Sequence, residues 1–387
     1  MKYDFDQVIP RRGTSSYKWD TPEQEGVLPM WVADMDFRTA PAILQALQKR
    51  VEHGIFGYTK VPEAYYRAVV RWFDRRHRWR IDPQWIIYTT GVVPAVSAII
   101  KALTSPGDKV IVQTPGYNCF YSSIRNNHCT LSANNLLYRD GRYTVDFDDL
   151  EAKAADPRAQ LLLLCNPHNP SGRVWTPEEL RRIGQICLRH RVFVVADEIH
   201  CELTRRGHDY TPFASLSEDF LDNSVTCLSA SKAFNIAGLQ IANIVAANER
   251  VRRRIDRAIN DNEVCDVNPF GIEATVAAYE QGEEWLDALR DYLFENYDCL
   301  RTWLAERMPQ YHVLPLEGTY LAWIDCRAAG IGSDQVSLRL LEEQKLMVSS
   351  GTLYGPGGEG FIRLNLACPR SVLIEGLKRL ERGLTGR

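Results

Sequence analysis

Lys232 has the least ordinary surroundings of any ionisable residue in the chain. It lies in SVTCLSASKAFNIAGLQIANIVAAN, and from position 223 to 248 it is the only charged side chain. An ammonium held among apolar residues is destabilised relative to the neutral amine, by up to about 3–5 pKa units when fully buried. A lysine in that state can form a Schiff base or act as a general base. The plain alternative is a strand-end lysine whose stem covers apolar surface while its charge stays in water. Asp197 closes the run VFVVADE. A carboxylate there is costly unless a positive group meets it, so it either caps the next segment or faces the protonated nitrogen of a bound base. Asn166 and Asn169 fall in CNPHNPSGRVW, directly after QLLLLC. Pro and Gly fix a turn at that strand exit and turn the amides to one side; alone, this is a turn signal. Gly91, Val92 and Val93 follow IIYTT and precede a helix starting near Pro94. Backbone N–H groups at a helix N-terminus form a phosphate cup, although many such turns bind nothing.

Two other motifs lack their context. GPGGEG (355–360) satisfies GxGxxG, but FIRLNLA follows it and reads as a strand, where a dinucleotide fingerprint needs a helix. Asp197, His200 and Cys201 include metal-ligand types, but no second cluster completes a site, so no metal is expected.

These residues need elements to hold them. Short apolar runs, KVIVQTP (109–115), QLLLLCNP (160–167), VFVVADE (192–198), SVTCLSAS (224–231) and LQIANIVAAN (239–248), read as buried strands. Between them lie helical patterns, PAVSAIIKALT (94–104) and PEELRRIGQICLRH (177–190), the latter with Thr176 as N-cap and Pro177 at N1. The alternation predicts an α/β fold with a largely parallel sheet covered on both faces. After about Trp285 a long amphipathic helix, the strand-like TYLAWIDC (319–326) and GFIRLNLA (360–367), and a final helix predict a smaller α+β domain. The expected division is residues 1–45 packing with the small domain, 46–285 as the large domain, and 286–387 as the small one. In such sheets ligands bind beyond the carboxyl ends of the strands, which is where Asp197, Asn169 and Lys232 fall.

Composition narrows the partners. The 46 basic and 49 acidic side chains leave a formal charge of −3, which argues against a protein held on nucleic acid by phosphate neutralisation. Arg252, Arg253 and Arg254 read as a solvated helix face. Neither a secretory h-region nor an uncharged apolar stretch of membrane-spanning length is present. The ten cysteines are scattered without CxxC pairs, which suits free thiols in a reducing cytoplasm. Only ten of the 46 basic residues are lysines; nine of these read as surface or near-surface charges, and Lys232 stands apart.

Taken together and in order, TTGVVPAV, PGYNCFY, CNPHNPSGRVW, VVADEIH and SASKAFNIAGLQ resemble the fold-type-I pyridoxal-phosphate enzymes. With MWVADMDF (30–37), GIFGYT (54–59) and IRLNLACP (362–369), the chain more narrowly resembles the bacterial cystathionine β-lyase, or C–S lyase, branch of the class I/II aminotransferases. The resemblance implies a mostly parallel seven-stranded sheet between helices. It also implies that Lys232 carries pyridoxal 5'-phosphate as a Schiff base, that Asp197 pairs with the ring nitrogen, and that Asn169 bonds the phenolic oxygen. By the same likeness Tyr117 stacks on the ring and His200 lies beside it. Gly91, Val92, Val93, Ser229 and Ser231 receive the phosphate, with Tyr58 reaching it from the partner subunit of a homodimer. Arg363 takes the substrate α-carboxylate, with Ala33 and Asn169 beside it. Tyr58, Tyr117 or Tyr121 protonates the leaving sulfur.

Two positions depart from the ordinary aminotransferase pattern. Gln240 stands eight residues after the lysine, where an Arg is usual, and His200 stands three after the aspartate, where a Tyr is usual. Both resemble the lyase branch. Tyr210, where that branch often has His, and the segment NDNEVCDVNPFG (260–271) suggest an unusual substrate entrance if they line it. The expected activity is cleavage of cystathionine or a cysteine S-conjugate to thiol, pyruvate and ammonia. An aminotransferase, or a regulatory protein retaining the fold, is the alternative.

Overall fold

The protein is described by a computed structural model covering residues 3–261, 263 and 266–386. Seven strands form the large sheet: Ile86–Thr89 (β1), Lys109–Thr114 (β2), Thr130–Asn135 (β3), Ala159–Cys165 (β4), Phe193–Asp197 (β5), Ser224–Leu228 (β6) and Ala242–Val245 (β7). Their spatial order is β1-β7-β6-β5-β4-β2-β3. β7 runs antiparallel to both β1 and β6, and the other four pairings are parallel. Strands β4, β5 and β6 are almost wholly buried, which is why they read as unbroken apolar runs rather than alternating ones.

The helices follow their sequence signals. Pro177–His190 has a capping box in which Thr176 accepts from Glu179 N–H and the Glu179 side chain returns to Thr176 N–H. Val92–Leu103 begins two residues earlier than its apolar period suggested. The six parallel-running strands bring Thr89, Thr114, Asn135, Cys165, Asp197 and Leu228 to one edge of the sheet, and β7 starts from that same edge. The loops carrying Gly91, Tyr117, Asn169, Lys232 and Gln240 therefore leave the sheet together.

A second, antiparallel sheet comprises His312–Val313 (β8), Leu321–Asp325 (β9), Ser349–Ser350 (β10) and Phe361–Asn365 (β11), in the order β8-β9-β11-β10. The helices Glu283–Arg307 and Arg370–Thr385 pack their apolar faces into its core. The N-terminal segment joins this region, with Leu28–Pro29 pairing in parallel with Leu346–Met347. GPGGEG leads into β11, so it has no helix to aim at a dinucleotide. Among the described residues no helix is long and apolar enough to cross a membrane.

One lysine expected at the surface is buried. Lys18 is 1% exposed and donates to Asp36 at 2.9 Å, while Trp19 Nε1 and Arg11 reach the same carboxylate at 2.8 and 2.7 Å. The partners lie in WVADMDF, some eighteen residues along the chain, so local sequence gives no sign of the pairing. Breaking a buried ion pair by removing one partner costs about 3–5 kcal/mol; with Arg11 still in place, Lys18→Met is expected to cost about 3 kcal/mol. Denaturant unfolding checks this against Lys378→Met, an exposed site expected to change stability by less than about 0.5 kcal/mol.

Candidate active site

A cavity of about 190 Å3 opens at the shared edge of the large sheet. Its walls include Gly91, Val92, Val93, Tyr117, Asn169, Asp197, His200, Ser231, Lys232 and Ala33. Residues from six separate stretches of sequence thus meet in one place. Thr90, Pro94, Cys165, Ile199, Ala237, Gln240 and Ile241 complete the lining; of these only Gln240 stood out in the sequence, as the residue replacing the usual Arg.

Lys232 projects from the turn after β6, and its Nζ donates to the carbonyl of Ala33 at 2.7 Å. Burial and the nearby Arg363 charge lower its pKa to about 8, against the opposing pull of Asp34 and Asp197. Asp197 is 4% exposed and accepts the N–H of Ile199 at 3.2 Å. Burial raises its carboxyl to about 6, although the Ile199 N–H and the Lys232 charge work the other way. A carboxylate so short of positive charge is satisfied by a protonated ring nitrogen. The apo amine implies a pH profile. The rate at which the apoprotein condenses with an added aldehyde is expected to rise through pH 8, as the neutral fraction grows. Stopped-flow absorbance reads it, and a midpoint near that of free lysine would contradict the burial argument.

Val92 and Val93 open the helix Val92–Leu103, and Pro94 has no N–H to give. The next amide, Ala95 N–H, is already bonded to Gly91 O at 3.0 Å. The orphan donors of this helix end are therefore those of the GVV turn. Ser231 faces the cavity, but Ser229 stands one layer back, donating to Ile241 O at 2.6 Å and accepting Ser231 N–H at 3.0 Å. Among the described residues no arginine lines the cavity, so an anion at this end rests on N–H groups and hydroxyls.

Arg363 lies on β11, 6% exposed, and donates to Asn169 Oδ1 at 3.1 Å and Trp31 O at 2.8 Å. It crosses from the small sheet to the large-sheet site. The segment carrying Ala33 is held by side chains distant in sequence. Asn365 Nδ2 donates to Asp34 O at 2.7 Å, Asn235 Oδ1 accepts Met35 N–H at 3.0 Å, and Tyr320 OH donates to Ala33 O at 2.9 Å. Sequence reasoning missed these three residues; Asn235, three positions after Lys232, was the one available hint.

Several candidates sit elsewhere. Tyr121 OH donates to Tyr354 O at 2.6 Å and accepts Gly116 N–H at 3.1 Å, so it is engaged outside the cavity. Tyr58 is 95% exposed and does not line the cavity of its own chain. Tyr210, suggested for a substrate entrance, is buried with its hydroxyl on Glu198 Oε2. In the suggested segment 260–271, residues 262, 264 and 265 lie outside the described residues; Asn268 caps the helix Pro269–Gln281, and the Phe270 ring packs 5.6 Å from that of Phe56.

The unmet needs of the site's own residues match pyridoxal phosphate. Among the described residues His200 Nδ1 and Arg363 Nε are buried without a hydrogen-bond partner, and burial of Asp197 outweighs the pull of the nearby Lys232 charge. Burial, with the Lys232 and Arg363 charges, lowers the His200 imidazole to about 3, so it is neutral. An aromatic base with an anionic arm answers these needs, and the residues fit. The nearest metal-like cluster is different: His77, Cys201 and Glu202 place ligand atoms within 4.8 Å of one another. Glu202 already receives Trp72 Nε1 at 2.6 Å, His77 Nε2 at 2.7 Å and Arg76 Nε at 3.1 Å. Burial alone would raise this carboxyl, but His77 and Arg76 hold it near 2. Its charge is already compensated.

The family model for class I and II aminotransferases matches residues 26–380. The chain belongs to the class I and II aminotransferase family. Within this family, it is 45% identical over 386 residues to cystathionine β-lyase PatB of Bacillus subtilis, spanning 99% of this chain and 100% of that protein. It is 34% identical to protein MalY of Escherichia coli, spanning 98% of each. Among solved structures, cystalysin from Treponema denticola, which contains a pyridoxal 5'-phosphate cofactor, matches with a TM-score of 0.97 at 36% identity over 100% of both chains. The pyridoxal-phosphate-bound C–S lyase from Staphylococcus hominis, complexed with the inhibitor L-cycloserine, matches at 0.94 and 34% identity over 100% of both.

Proposed function

We propose that this aminotransferase-family protein is a pyridoxal-phosphate-dependent carbon–sulfur β-lyase, cleaving cystathionine or another cysteine S-conjugate to a thiol, pyruvate and ammonia. The observation that carries it is the meeting of Lys232, Asp197, Asn169 and the GVV helix end in one cavity, in a chain similar from end to end to PatB and cystalysin. When bound, the cofactor supplies the electron sink for the carbanion that forms at the substrate Cα.

The chain's own groups do the rest. Lys232 Nζ holds the cofactor and, once displaced, takes the Cα proton, its depressed pKa keeping a useful neutral fraction. Asp197 keeps the ring nitrogen protonated, Asn169 bonds the phenolic oxygen, and the Tyr117 ring covers the aromatic face. Gly91, Val92, Val93 and Ser231 hold the phosphate, while Ser229 positions Ser231. Arg363 takes the substrate α-carboxylate in charge-assisted bonds worth about 1.5–3 kcal/mol each, with the Ala33 carbonyl nearby. Of the three tyrosines Tyr117 is the one that lines the cavity of its own chain, which favours it as the group that protonates the leaving sulfur. Tyr58 joins it from the partner subunit of a homodimer, a role supported by the exposed apolar side chains around it: Ile55 at 67%, Phe56 at 57% and Val51 at 55%.

Borohydride reduction of the holoprotein followed by peptide mass spectrometry tests the assignment of Lys232. Thiol and pyruvate release from L-cystathionine without added keto acid tests the lyase activity. Cofactor fixed on another residue overturns the first, and a requirement for a keto acid acceptor overturns the second.

A further inference from the structure

Beyond Lys232 the reaction cavity adjoins a second cleft of about 550 Å3, with Ala33, Lys232 and Ala237 in the wall of both. Its other walls come largely from the N-terminal segment, including Ile9, Tyr17, Asp34 and Arg38. A thioether amino acid held with its Cα at Lys232 and its carboxylate at Arg363 must send its sulfur substituent out of the small cavity. This cleft shares three wall residues with that cavity and has room for the substituent.

The cleft is selective in charge. Arg11 Nη2 lies 2.7 Å from Asp34 Oδ2, and Arg11 Nη1 lies 2.7 Å from Asp36 Oδ1. Lys18 Nζ lies 2.9 Å from Asp36 and 3.6 Å from Asp34. Two cations thus neutralise two carboxylates, and both oxygens of Asp34 are engaged, leaving it little attraction for an incoming ammonium. Arg38 is different. It is exposed at the cleft wall, and among the described residues it makes neither a hydrogen bond nor an ion pair. Its guanidinium is an uncompensated charge on that wall, while Ile9, Val32 and Tyr17 offer apolar surface for an alkyl chain.

We infer that this cleft receives the leaving-thiol half of the substrate and that Arg38 selects thioethers whose leaving thiol carries a carboxylate. The inference deepens, and rests on, the lyase reading above. A guanidinium–carboxylate contact in a partly solvated cleft is expected to favour the charged ligand by about five- to tenfold at low salt, fading as ionic strength rises.

Two measurements test it on the holoenzyme. Calorimetry compares L-2-aminoadipate with L-norleucine, non-cleavable analogues that differ by a terminal carboxylate, and extends the series to L-2-aminopimelate. The kcat/KM values of S-carboxymethyl- and S-ethyl-L-cysteine are compared in parallel. The expected result is tighter binding and a lower KM for the carboxylated member of each pair. Arg38→Gln brings the ratio near one, Arg38→Lys keeps most of it, and Arg38→Glu reverses it. A wild-type ratio near one, or a ratio that survives Arg38→Gln, overturns the inference. The calorimetric ratio is read without turnover. A preference erased by Arg38→Gln therefore supports the charge selection even if neither thioether releases pyruvate, an outcome that counts instead against the lyase reading.

Discussion

Lys232→Ala is expected to lower thioether cleavage by at least about a thousandfold, since in the proposed mechanism this residue is both the covalent attachment point and the base that takes the Cα proton. The fold should survive. The lysine makes one hydrogen bond, to Ala33 O, worth about 1 kcal/mol, and its loss also removes an ammonium that burial destabilises. Thermal unfolding near that of the wild type, with loss of the visible absorbance of the bound cofactor and partial recovery of turnover on adding a small primary amine, is the expected pattern. Recovery by an added amine separates a missing base from a damaged site. Retention of more than a tenth of the activity would show that another group removes the proton.

Asp197→Asn carries the second large effect. The amide nearly matches the carboxylate in shape, so packing at the end of β5 is preserved, but it cannot balance the charge of a protonated ring nitrogen. A fall in kcat/KM of about 10^2–10^4 is expected, with little change in cofactor content, because the phosphate and Lys232 contacts remain. Stability should hold or rise, since a carboxylate raised to about 6 by burial is an unfavourable group in the empty site. Activity within threefold of wild type would mean that the anion at this position does not keep the ring charged. A large loss of stability would mean that Asp197 serves the fold.

Lys232, Asp197 and Asn169 were legible because each ends or follows an apolar run, and a polar group at the exit of a buried strand needs a reason to be there. The sheet was legible for the same reason: parallel strands covered on both faces leave continuous apolar runs. Direction was harder to read. LQIANIVAAN resembles its neighbours in composition, yet β7 runs against them, because nothing in a fully buried strand marks its polarity.

What stayed hidden depends on pairings far apart in the chain. Lys18 looked like any surface lysine until the fold set it on Asp36, and the bonds from Asn365 and Tyr320 that hold the Ala33 segment span some 290 to 330 positions. Tyr210, raised as an entrance residue on the condition that it lines one, and Tyr121, one of three tyrosines left open as the leaving-group acid, are engaged elsewhere. Both are aromatic residues close in sequence to site residues, but their hydroxyls are taken by Glu198 and Tyr354 O. Arg38, one residue beyond WVADMDF, drew no notice because its meaning lies in what it lacks: the carboxylates beside it are already balanced by Arg11 and Lys18.

On the proposed function, the site built on Lys232 and Asp197 eliminates a thiol rather than exchanging an amino group. The most direct measurement follows L-cystathionine with the purified holoenzyme in the absence of any keto acid, quantifying thiol, pyruvate and ammonia together. The three products are expected in equal amounts over many turnovers. Amino-group transfer that stops after one turnover and resumes only when a keto acid is supplied, with no thiol released, would contradict it.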